Sequence, residues 1–212
     1  MPPTGLRGET AKLVRLANSD LAALWRMVSE GASADTALRD LLPAIIREYG
    51  QAGAAIAADW YDDQRDKVGA RGRFTASPID ADDRGAQALI GWALTSATND
   101  STLATLVAGG VQRRIADHVR LTVAANAVAD KAAEGWQRVG VGECKTGFCD
   151  MLIGRGAVYS EATADFAAHD HCQCSAVPAW GGEPLPVKPF TPSTRAATDA
   201  DRARVREYIA TH

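Results

Sequence analysis

From Glu9 to Glu30 apolar residues recur at three- and four-residue steps, at Val14, Ala17, Leu21, Leu24, Trp25 and Val28, laying one stripe along a helix that Gly31 ends. Ser33 is a natural N-cap for a second helix with its stripe on Leu38, Leu41, Leu42, Ile45, Tyr49, Ala52, Ile56 and Trp60. Pro43 falls inside that stripe, removes one backbone bond and predicts a bend. Lys67 to Asp83 loses the periodicity and carries Gly, Arg and Ser77-Pro78, so it reads as a connector with freedom to move. The helical pattern resumes over Arg84 to Ser96 through Leu89, Ile90, Ala93 and Leu94. Ser101 then caps a longer helix with Leu103, Val107, Val111, Ile115, Val119, Thr122 and Asn126 on one side, and its abundant alanines favour close interhelical approach.

The pattern changes at Gly135. Trp136 to Val141 is short, β-branched and aromatic between glycines, and predicts a strand. Asp150 to Ile153 predicts a helical turn and Ala157 to Tyr159 a second strand. Five of the nine prolines then fall between Pro178 and Pro192, predicting an extended tether. Thr198 to Ala210 forms a last short helix, with Val205, Tyr208 and Ile209 on one side and Arg202, Arg204 and Arg206 around them. The predicted architecture is mainly α: a helical N-terminal body (1–134), a small α+β zinc-stabilised module (135–180), and a Pro-rich tether ending in a short helix (181–212).

Composition narrows the function. With 46% hydrophobic residues in 212 the chain can bury a core, which excludes wholesale disorder. A net charge of -3 provides no long-range field for a polyanion, so a dedicated nucleic-acid binder is not expected. No run approaches the roughly 20 apolar residues of a membrane span, and Met1 to Thr10 lacks the apolar block of a signal peptide. A cytosol-like compartment without membrane contact is the expectation.

The four cysteines fall together at Cys144, Cys149, Cys172 and Cys174, with His169 and His171 among them. In a reducing compartment this clustering points to metal ligands, with disulfides or buried thiols as the alternative. A tetrahedral zinc site draws thiolate and imidazole ligands from two loops. Here one loop offers Cys144 and Cys149, and the other His169, Cys172 and Cys174, with His171 in reserve. More ligands than four favours a closed structural shell, which contributes about 10–16 kcal/mol of apparent binding energy to folding. No zinc-deaminase or zinc-protease motif, Gly-x-Ser-x-Gly elbow or phosphate loop is present, and no nucleophile stands beside a recognisable base. Asp165 and Asp170 read as turn formers, His118 as a helix-surface or satisfied interface residue, and Arg113, Arg114 and Arg120 as a solvated face. No catalytic residue is assigned.

Four segments carry a resemblance: His118-Val-Arg-Leu-Thr-Val-Ala-Ala-Asn126, Gly135-Trp-Gln-Arg-Val139, Cys149-Asp-Met-Leu-Ile-Gly-Arg-Gly-Ala-Val-Tyr159, and His169-Asp-His-Cys-Gln-Cys-Ser-Ala-Val-Pro178. Together they resemble the MuF-like minor head proteins of tailed actinobacteriophages. The resemblance implies a virion or procapsid component, acting in head morphogenesis inside the head near the portal after assembly in the host cytoplasm. Portal protein, major capsid protein or both are the implied partners. The family pattern, Cys-x-x-Cys followed by His-x-x-Cys-x-Cys, is matched by Cys149, His169, Cys172 and Cys174. Its first cysteine would fall at Thr146, which makes Cys144 a displaced ligand or a bystander and His171 the substitute ligand. Many such proteins are labelled capsid maturation proteases, the second reading, for which Cys149 would be the thiol to nominate. A third is a DNA-associated internal head protein touching the packaged genome through the arginines of the terminal helix.

Overall fold

The computed structural model describes residues 4–79, 84–140, 147–157, 159, 166 and 168–180. The Pro-rich tether, the terminal helix, Cys144 and Asp165 lie outside the described residues. Four long helices form the body: α1 (Thr4–Ser29), α2 (Ala34–Lys67), α3 (Arg84–Ser96) and α4 (Asp100–Ala129). A strand β1 (Trp136–Val139), a short helix α5 (Gly147–Ile153) and a strand β2 (Ser175–Pro178) follow. The mainly helical class with a small sheet is therefore as the periodicity predicts.

The helix boundaries follow local chemistry. Ser33 caps α2 and accepts from the Thr36 amide, as expected. The cap of α4 is Asn99, not Ser101: Asn99 Oδ1 accepts from the Thr102 amide at 2.8 Å, and Ser101 lies inside the first turn. Asparagine offers a carbonyl at the reach an N-cap requires, so the helix starts earlier than the serine suggests. Pro43 stays inside α2, where it deletes one bond without ending the helix.

The segment after α2, expected as a free connector, is bound down. Arg65 donates to the carbonyls of Arg71 and Gly72 at 2.8 and 3.0 Å, and Asp62 accepts from the Ala76 amide at 3.0 Å. Asn126 on α4 reads both faces of Ser77, accepting from its amide at 2.9 Å and donating to its carbonyl at 2.8 Å. Thr122 accepts from the Ile79 amide at 3.1 Å. These side chains give the extended segment the backbone partners a sheet would otherwise provide. Asp130, 2% exposed, anchors Arg65 at 2.9 Å and Tyr61 at 3.3 Å, tying the end of α2 to the end of α4.

Helix α4 packs against α1, α2 and α3 and also against both strands. One apolar cluster fills the bundle with Leu21, Leu24, Leu38, Leu42, Ile90, Val107, Val111 and Ile115. A second crosses from the helices into the C-terminal module: Leu6, Tyr61, Val119, Val123 and Ala127 pack with Trp136, Cys149, Tyr159, Phe166, Cys172 and Cys174. The cysteines are thus set into a core shared with the helices.

Close helix approach depends on glycine at Gly110, where a methyl group would land within the Leu89 side chain. Helix propensity alone would reward Gly110→Ala by about 1 kcal/mol. Leu89 is only 5% exposed and has little room to yield, so overpacking of about 1–3 kcal/mol outweighs that gain. Urea unfolding is expected to show a lower midpoint for this variant with an unchanged slope.

Candidate metal centre

The two strands pair antiparallel, with Trp136 opposite Pro178 and Val139 opposite Ser175. Strand β2 was not expected. The predicted strand at Ala157 to Tyr159 is reduced to a single bridge, in which the Trp136 amide donates to the Tyr159 carbonyl at 2.9 Å; Val158 lies outside the described residues. Alternation along β1 turns Trp136 and Arg138 inward, and both are nearly inaccessible at 1% and 2%. The Trp136 ring stacks between Tyr159 and Phe166, at centroid distances of 4.3 and 5.7 Å.

Three predicted ligands converge. Cys149 comes from α5, and His169 and Cys172 from the loop before β2; their ligand atoms all lie within 4.8 Å of one another. Cys149 Sγ and His169 Nε2 are 3.3 Å apart. A tetrahedral zinc with bonds of about 2.3 Å to sulfur and about 2.0 Å to nitrogen would separate such a pair by roughly 3.5 Å, so the donor set fits the ion. Nδ1 of His169 lies 2.6 Å from the Asp170 carbonyl. That contact favours a proton on Nδ1 and leaves Nε2, the atom facing Cys149, as the coordinating nitrogen.

The Cys172 amide donates to the His169 carbonyl at 3.1 Å, closing a turn with His171 at a φ of 61°. The turn swings the His171 ring away from the thiols: a Cβ on Gly109 of α4 would stand 2.9 Å from its Nε2. His171 is therefore exposed and does not join the three converging groups, because the turn that brings Cys172 back to His169 points the intervening side chain outward. Cys174 lies outside the tightest trio, but its side chain is hydrogen-bonded to Cys172. Cys172 and Cys174 also reach the edge of a cleft of about 320 Å³ between α1, α4 and the loop, a route by which an ion can enter.

Among the described residues no disulfide joins Cys149, Cys172 and Cys174. The hydrogen bond from Cys174 lowers the Cys172 pKa, against the penalty of burial and with help from Arg120 and Arg138, to about 4. The same hydrogen bond and burial push the Cys174 thiol up. Burial works against the charged form of His169, but the Asp170 carbonyl and the Cys149 thiol outweigh it and raise its pKa above 6.5.

Two arginines that sequence reasoning did not assign complete the surroundings. Arg138 Nη2 donates to Cys149 Sγ at 3.3 Å and to Cys172 Sγ at 3.2 Å, while Nη1 donates to the Phe166 carbonyl at 2.7 Å. Arg120, expected on a solvated face, is only 3% exposed. It donates from Nε to the Cys174 carbonyl at 2.9 Å and from Nη2 to the Cys172 carbonyl at 2.6 Å, and it pairs with Asp117 at 2.8 Å. Both guanidiniums lie over the Phe166 ring, at 4.9 and 4.4 Å from its centroid. Asp170 pairs with Arg113 at 3.3 Å, a second tie between α4 and the loop. A charge at an inward strand position was the signal available for Arg138; nothing in the helical pattern distinguished Arg120.

The fold and cluster define a helical protein with a thiol- and imidazole-rich centre suited to a metal ion. Over residues 4–198 the chain matches the family model described as VG15 protein, and it belongs to that family. This makes it a phage protein. No curated protein and no solved structure matches it. Among the described residues no helix is long and apolar enough to cross a membrane.

Proposed function

We propose that the chain is a minor capsid protein acting in head morphogenesis, held inside the phage head or procapsid beside the portal, with a structural zinc fixing its C-terminal module. Portal protein, major capsid protein or both are its partners. The observation that carries this reading is the convergence of Cys149, His169 and Cys172, with the two cysteines in a core continuous with the helical body and the histidine half-buried beside them. A site with both cysteines buried suits holding a shape better than turning over a substrate, and in this reading Cys174, hydrogen-bonded to Cys172, is the fourth ligand. Membership of a phage family across nearly the whole chain supports a role in the particle. Mass spectrometry of purified virions, before and after the DNA is ejected, tests the location: the protein is expected in both, and its absence from mature and precursor heads alike would sink the reading.

One observation favours the capsid maturation protease. Cys149 and His169 stand 3.3 Å apart, with the imidazole oriented by a carbonyl, which is the arrangement of a nucleophile and its base. Such a dyad was not visible in the sequence, where twenty residues separate the two. Against it, Cys149 is fully buried at 0% exposure and leaves no approach for a peptide carbonyl. Incubation with the major capsid precursor is expected to leave it uncut, and a trimmed product lost in Cys149→Ser would reverse the assignment.

A further inference from the structure

We propose that the cleft between α1, α4 and the loop before β2 is a docking site for a partner polypeptide, an extended acidic segment with two carboxylates spaced around an apolar residue. Neither a metal ion nor a place in the particle enters the argument. The cleft measures about 320 Å³. Its floor is small and apolar, with Ala11 and Val14 of α1 facing Ala116 and Val119 of α4, each pair at the three-residue step of one helix face. Its charged lining has one sign: Arg7, Arg15 and Arg120 contribute to it and, among the described residues, no aspartate or glutamate does.

The three arginines are not equivalent. Arg120 is engaged by two backbone carbonyls and by Asp117. Arg7 meets only a neutral group, donating to the Gln173 side chain at 3.4 Å, which is long for such a bond. Among the described residues neither Arg7 nor Arg15 forms an ion pair. The two acidic residues of α1 are turned to other partners: Glu9 pairs with Lys12 at 2.6 Å, and Asp20 accepts from the Tyr49 hydroxyl at 2.7 Å.

Two cationic groups with an apolar floor between them select an occupant of matching charge and shape. Arg15 follows Arg7 by about 12 Å along the α1 axis. An extended chain covers that distance in about four residues at about 3.3 Å each, and its period of two turns the first, third and fifth residues to one side. Acidic side chains at the first and fifth positions therefore reach the two guanidiniums, which suit carboxylates as bidentate partners. The apolar third residue meets Ala116 and Val119. A helix, about 10 Å across, is too wide for so small a cleft. A nucleic-acid strand would satisfy the arginines but set phosphate and sugar against the apolar floor, and a net charge of -3 gives it no long-range attraction.

The test is an amide NMR titration of the isotopically labelled full chain with the blocked peptide Ser-Glu-Ala-Val-Ala-Glu-Ser. Saturable shifts at Ala11, Gln112 and Gln173 are expected, with an affinity that falls severalfold as salt is raised. The same peptide with Gln for both Glu should bind roughly tenfold more weakly, because each exposed ion pair contributes about two- to fivefold. The double variant Arg7→Glu, Arg15→Glu should lose the acidic peptide and accept Ser-Lys-Ala-Val-Ala-Lys-Ser in its place. No shift at millimolar peptide, or equal affinity for the Glu and Gln peptides, would overturn the proposal, and the peptide comparison on the parent chain decides even if the double variant fails to fold. Stronger shifts at these amides with an oligothymidylate than with the peptide would make the cleft a DNA contact. A dimer that the double variant dissociates would give the cleft to a second copy, and cleft amides that shift when Glu183, Asp199 and Asp201 are replaced by their amides, with no peptide added, would give it to the chain's own continuation. Each of these three results overturns the proposal.

Discussion

Cys172→Ser is expected to lose bound zinc and the order of the C-terminal module together. Serine is close in size, so packing changes little, but its neutral hydroxyl replaces the soft thiolate that would bind the ion and that faces Arg138 Nη2 and the Cys174 side chain. A structural zinc contributes about 10–16 kcal/mol to apparent folding energy. Even partial loss of that quantity exceeds what any single apolar truncation here could produce, since those cost about 2–5 kcal/mol. Elemental analysis should show less than one equivalent of zinc, and Trp136, stacked between Tyr159 and Phe166 beside the site, should report early melting by fluorescence. A chelator should move the parent chain towards the variant and leave the variant unchanged. Unaltered zinc with reduced stability would mean that thiol packing alone sustains the module.

What the sequence conveys and what it withholds divide along physical lines. Helix α3 has the limits its apolar spacing predicts, Arg84 to Ser96, because a periodic stripe against a core is a local property of the chain. The start of α4 was misplaced by two residues, since Asn99 and Ser101 can both cap and only packing chooses between them. Strand β2 was missed because Ser175-Ala-Val-Pro178 is buried on both faces and shows no alternation, and its partner β1 lies some forty residues earlier. Residue type revealed Cys149, His169 and Cys172 as ligands in waiting, because few side chains bind soft ions. It could not reveal that His171 turns outward, a consequence of one left-handed residue in a tight turn. Nor could it show Arg120 and Arg138 converging from a helix and a strand, because that requires the tertiary fold.

Arg120→Met is the second large effect expected, and it tests whether the loop of the metal centre is held from the helical body. The substitution keeps an unbranched chain of similar reach and removes the guanidinium. Three groups then lose their partner at once: the Cys172 carbonyl, the Cys174 carbonyl and the Asp117 carboxylate. Breaking a buried pair on one side costs about 3–5 kcal/mol. The cost here sits near the lower end, because the Asp117 side chain is 28% exposed and turns to water or to Arg113, its neighbour at 3.9 Å. The two carbonyls have no such release, since Cys172 and Cys174 are 3% and 2% exposed. The loop must therefore shift, and the sulfurs shift with it. The variant should consequently show a lower unfolding midpoint and faster zinc loss to a chelator, although Arg120 donates to no sulfur. Asp117→Asn should have a smaller effect on both, because it leaves the two carbonyl bonds intact. Equal zinc-release rates in the parent and Arg120→Met would show that the loop keeps its shape without α4, and would leave the bonds from Arg120 as a consequence of the centre instead of a support for it.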